Sequence, residues 1–225
     1  MAIALGVFFI AFSGLLFEVA LTRIFSATIW YHFAFVAISV ALLGWGLGGF
    51  AVHLLRKKAP PTPERAALLS LVYAVTIPLS LWLIVRNPFR PDLLWFYFLA
   101  SLLPFVFAGM ALSTVFALYR ERAGTLYFGD LLGASLGALA VTVLLSWLGG
   151  EGAVVAAALP PLLAAACFSR RLLPASVVGG LLLGAALAIH ARTGTFLIRS
   201  APEKGMYRHL AARPSPSPSS TTGSE

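Results

Sequence analysis

The chain has 225 residues, 60% of them hydrophobic and only 11% charged, with a mean hydropathy of +0.91. A soluble domain averages about half apolar and about a quarter charged, so this composition excludes one and predicts an all-α, polytopic integral membrane protein. The net charge of +8 is not a nucleic-acid signature, because Lys and Arg lie between apolar blocks and in the tail, as orientation signals and lipid contacts do. The lone Cys167 excludes a disulfide scaffold. An N-terminus without a positive n-region or clean cleavage site reads as a span, not a signal peptide.

The first apolar block covers residues 2–26 and the second 31–55, ending at Arg56-Lys57-Lys58. Pro60, Pro61 and Pro63 then force an exposed loop. The third block, 66–85, carries Pro78 as an expected kink, and a loop over 86–92 follows. The fourth, 93–119, contains Pro104 and opens with the interfacial aromatics Trp95, Phe96 and Tyr97. The fifth runs over 126–148, and Gly149-Gly150-Glu151-Gly152 reads as a tight turn. The sixth, 153–168, is only sixteen residues long and contains Pro160-Pro161, so its passage through a bilayer of about 30 Å is the open point. The seventh covers 172–191. The expected organisation is a transmembrane helical domain over 1–191 with about seven spans of ~20 residues. A basic amphipathic tail over 192–211 and a disordered Pro/Ser/Thr-rich end over 212–225 follow.

Lys and Arg in the short loops sort into eight on one side and three on the other, which predicts a cytoplasmic N-terminus in the inner (plasma) membrane. The side of the C-terminal tail depends on whether the sixth segment crosses.

Ionisable residues inside spans cost about 2.5–3.5 kcal/mol each at the bilayer centre and need partners or water. Glu18 and Arg23 are one turn and a half apart, and His32 opens the next span at a similar level. The spacing therefore allows a Glu18–Arg23–His32 polar cluster at the outer end, favoured as a structural ion pair over a proton or cation site. Asp130 starts the fifth span at the opposite face and should not pair with Arg23. Gly129, Gly133 and Gly137 form a GxxxGxxxG stripe, and Gly44, Gly46, Gly48 and Gly49 a second glycine-rich patch. Both read as close helix packing, carried by Gly44, Gly48, Gly129, Gly133 and Gly137. His53 and His190 read as interfacial. No spacing indicates a metal, cofactor or catalytic site.

Two stretches carry a family resemblance. One is Gly14-Leu15-Leu16-Phe17-Glu18 through Arg23 and Trp30-Tyr31-His32-Phe33 to Gly49; the other is Tyr127-Phe128-Gly129-Asp130-Leu131-Leu132-Gly133-Ala134. Together they resemble the membrane region of bacterial spermidine-synthase-like proteins, over roughly residues 1–205. In that family a multi-span domain precedes an aminopropyltransferase-type Rossmann domain, and residues 199–210 resemble the connecting linker. The sequence after Ala191 is too short for such a domain, so the resemblance implies the membrane fold without the enzyme activity. The reading that follows is a non-catalytic accessory or structural subunit of a larger membrane complex, with the lipid bilayer and other membrane subunits as partners. The alternatives are a small cation or polyamine transporter using Glu18 or Asp130, and the membrane anchor of a split synthase-like enzyme.

Overall fold

A computed structural model describes residues 1–28, 33–87 and 91–193. His32 and the predicted tail from residue 194 onward lie outside the described residues. The described chain is entirely helical: α1 (Ala2–Thr28), α2 (Phe33–Leu55), α3 (Pro63–Arg86), α4 (Leu94–Leu118), α5 (Ala123–Ala157), α6 (Leu159–Phe168) and α7 (Leu173–Thr193). Six helical stretches are long and apolar enough to cross a membrane, one of them being the continuous run Arg120–Phe168.

Local sequence sets the helix ends. Leu55 closes α2 by accepting the N–H groups of Lys58 (2.9 Å) and Ala59 (2.6 Å). Thr62 caps α3, its hydroxyl accepting the Arg65 N–H at 3.2 Å, while Pro63 fills the first turn where a missing N–H costs nothing. Three buried hydroxyls return to their own helix backbone: Ser70 donates to Ala66 O at 2.8 Å, Ser101 to Tyr97 O at 2.8 Å and Thr114 to Met110 O at 2.7 Å. They therefore satisfy themselves without opening a polar path.

α1 is the centre of the bundle and packs on α5, α6, α2 and α4. Its tightest contact is with the first leg of α5. A Cβ added at Gly129 would lie 2.7 Å from Ala4 O, and at Gly133 and Gly137 it would collide with Phe8 O and Phe12 O. Each step of four along α5 thus matches a step of four along α1, so the two helices run parallel, backbone on backbone. Helices in lipid have no hydrophobic force to join them, and this approach supplies dispersion and Cα–H···O contacts instead. α2 and α4 repeat the device. Gly44 lies against Phe105, Gly48 against Val106 O and Met110 N, and Gly109 against Trp45 O.

The sixth segment differs from its expected form. Only Gly149 departs from helical geometry, at φ 71° and ψ −178°, a region that glycine alone adopts freely. The reversal is concentrated there, not spread over residues 149–152, and helix resumes at Gly150. From that point the register on α1 falls as the chain advances. Gly150 is beside Ile24, Ala157 beside Ser13, and the Phe168 ring beside Gly6. The eighteen residues of α1 between Ile24 and Gly6 span about 27 Å at 1.5 Å per residue. Residues 150–168 therefore cover nearly the full depth of α1, antiparallel to it.

The basic loops share one end. Met1 and Arg122 line one cleft, Arg56, Pro61 and Arg120 another, and Phe168, which precedes Arg170-Arg171, rests on Gly6.

Gly133→Ala and Gly48→Ala, which push a methyl into facing backbone, should destabilise the protein by about 1–3 kcal/mol. Gly46→Ala and Gly184→Ala, where a Cβ meets nothing within 4 Å, should leave thermal stability in detergent unchanged or raised. Thermal melts of the four variants check the contrast.

Candidate functional site

The polar groups nearest mid-depth form one closed network, and its origin is a pair of prolines. In an α-helix the carbonyl of residue i accepts the N–H of residue i+4. Pro160 and Pro161 have no N–H, so the carbonyls of Ala156 and Ala157 lose their helical donors. Ala158 N–H turns back to Val155 O at 3.1 Å. The Ala157 carbonyl is instead met from α1, where Ser13 Oγ lies 2.6 Å away. Ser13 Oγ is also 3.0 Å from the Tyr73 hydroxyl of α3. A serine hydroxyl has one proton and a carbonyl can only accept, so Ser13 donates to Ala157 and Tyr73 donates to Ser13. All three residues are fully buried. The network joins α1, α3 and the segment that runs antiparallel to α1, among fully buried side chains that water does not reach.

Glu18 lies about 7.5 Å further along α1 than Ser13 and is half-buried. Arg23 is exposed, and no ion pair joins it to Glu18 among the described residues. The reason is angular: a separation of five residues turns the two side chains about 140° apart around the helix. The expected Glu18–Arg23–His32 cluster therefore has no Glu18–Arg23 link, and His32 falls outside the described residues. Asp130 is half-buried on α5, one residue past Gly129 and so level with Leu5 of α1. That register sets it about 20 Å along the axis from Glu18 and about 27 Å from Arg23. Asp130 has no hydrogen-bond or ion-pair partner among the described residues. Nor do they contain any group of three His, Cys, Asp or Glu placed to hold a metal ion. His53 is exposed at the end of α2, and the side chain of His190 falls outside the description.

One further hydroxyl stands out. Ser80 lies two turns beyond Tyr73 on the same face of α3, and its Oγ is buried with no hydrogen-bond partner. Reading the sequence for charged residues missed Ser13, Tyr73 and Ala157. The signal was present in Pro160-Pro161, which within a membrane segment implies carbonyls needing a hydroxyl from elsewhere.

No family model, curated protein or solved structure matches the chain, and nothing in those comparisons links it to the spermidine-synthase-like family.

Ser13→Ala orphans the Ala157 carbonyl and should cost about 1–3 kcal/mol, whereas Tyr73→Phe removes only the outer bond and should cost about 0.5–1.5 kcal/mol. Pro161→Ala restores an N–H to Ala157, so Ser13→Ala should cost less in that background; unfolding of the four-member cycle measures the coupling. Ser80→Ala should be neutral or stabilising, because it removes an unpaired polar atom.

Proposed function

We propose that the chain is a non-catalytic integral membrane module that serves as a structural or accessory subunit of a larger assembly. In this reading it crosses the plasma (inner) membrane seven times, counting residues 150–168 as a crossing. The N-terminus and the loops bearing Arg56, Arg120 and Arg170 face the cytoplasm, in keeping with the excess of positive charge at that end.

The observation that carries the reading is Asp130. A carboxylate within a span is costly and is ordinarily matched by a cation or by backbone donors. Here it has no such partner among the described residues, and it borders the outward face that carries the exposed Tyr127 and Leu131. A neighbouring subunit that places a Lys or Arg against Asp130 would satisfy the charge and cover that face together. The closed midplane network supports the same reading, since its donors and acceptors are spent on one another. Transport of a cation or polyamine is the second reading, favoured by Glu18, a half-buried carboxylate of α1 with no hydrogen-bond or ion-pair partner among the described residues.

Purification from native membranes in mild detergent, followed by sizing and mass spectrometry, tests the proposal. Wild-type protein should elute in a stoichiometric complex. Asp130→Asn should shed its partners while remaining folded, and Gly46→Ala should keep them. Elution of the wild type alone, as monomer or homodimer, overturns the subunit reading. Polyamine uptake by reconstituted wild-type vesicles, lost in Glu18→Gln, would establish transport instead.

A further inference from the structure

The end of the bundle that carries the basic loops holds two adjoining clefts of opposite character. The first, of about 460 Å³, is lined by Gly49, Val52, His53 and Arg56 at the end of α2, with Pro61, Ser113, Ala117 and Arg120. Two guanidinium groups, an imidazole and a hydroxyl therefore share one opening. Neither Arg56 nor Arg120 is paired with a carboxylate among the described residues. Glu64 and Glu121, the acidic groups nearest in sequence, are exposed and line neither cleft. α2 and α4 both point their C-terminal ends here, and each contributes roughly half a negative charge. Two full positive charges on the arginines outweigh that.

The second cleft, of about 270 Å³, shares Val52 and Pro61 with the first. Its other walls are almost wholly apolar: Leu55, Leu68, Leu69 and Met110, with Thr114. The Thr114 hydroxyl is spent on Met110 O. Arg65, on its rim, is also committed, since its guanidinium donates to Pro60 O at 2.7 Å. A cationic opening thus leads directly into an uncharged groove running along α2, α3 and α4.

We infer that these adjoining clefts form a binding site for an anionic phospholipid, with the phosphate between Arg56 and Arg120 and an acyl chain in the Leu55–Leu68–Met110 groove. The arginine pair matches phosphate because guanidinium donors reach its oxygens in a fixed fork. Continuity with the groove selects a lipid over free phosphate, which has nothing to place there. Membrane basic pockets of this kind hold anionic headgroups at the cytoplasmic face. The inference needs the chain to lie in a bilayer and is independent of its being a subunit.

Native mass spectrometry of the full chain in detergent, titrated with dioleoyl phosphatidylglycerol or dioleoyl phosphatidylcholine, tests it. Both lipids carry the phosphate, but the choline cation offsets its charge and is repelled by the two arginines, so phosphatidylglycerol should bind at least about tenfold more tightly than phosphatidylcholine. The double variant Arg56→Gln/Arg120→Gln should lose that preference. Arg170→Gln/Arg171→Gln, which removes the same charge at the same end, should retain it. Leu68→Ser should weaken phosphatidylglycerol, and millimolar inorganic phosphate should not displace the lipid. Equal binding of the two lipids, equal loss in both double variants, or displacement by inorganic phosphate would each overturn the proposal. The wild-type lipid and phosphate comparisons decide it even if the Arg56/Arg120 variant fails to fold.

Discussion

A backbone carbonyl buried among apolar helices cannot turn to water, and the arrangement of this bundle follows from how α1 meets that constraint. One side of α1 lays the carbonyls of Ala4, Phe8 and Phe12 against the bare backbone of Gly129, Gly133 and Gly137. Another side offers Ser13 to the Ala157 carbonyl that Pro161 leaves without a helical donor. The two devices hold the two legs of the Arg120–Phe168 run against the same central helix, one parallel and one antiparallel. Gly149 makes the reversal between them possible, since its backbone lies where other residues would be strained.

The remaining helices are arranged around that pair of contacts. α2 and α4 use a second run of small residues to approach closely. Trp45 of α2 covers Gly14, and the Phe105 ring of α4 meets Phe17 at a centroid distance of 5.0 Å. Tyr73 reaches from α3 to the same serine that serves Ala157. Most buried hydroxyls are committed in pairs or to their own helices, Ser80 being the exception, while carboxylates without a hydrogen-bond or ion-pair partner among the described residues remain at Glu18 and Asp130.

Much of the fold is legible in the sequence, because apolar length, proline clusters and Gly-xxx-Gly spacing are local signals. Helix limits fall within a few residues of the apolar blocks, and the glycines of α5 meet α1 with the periodicity that their spacing implies. The midplane network was not legible in the same way. Its members are a serine, a tyrosine and a main-chain carbonyl, none unusual alone, and they meet only through contacts 60 and 144 residues apart in the chain. Charge drew attention to Glu18 and Arg23 instead, although helical geometry alone turns them apart. The sixth segment looked short because Gly150, Glu151 and Gly152 read as turn residues. In the fold they are helical, and only Gly149 makes the turn.

In the proposed topology residues 150–168 recross the membrane antiparallel to α1. Cysteine labelling in intact cells tests it most directly, with Cys167 replaced by Ala and single cysteines placed at Gly150 or at the exposed Arg170. Gly150→Cys should react with a membrane-impermeant maleimide added outside, and Arg170→Cys should react only after the membrane is permeabilised. Reaction of both from the same side would contradict it.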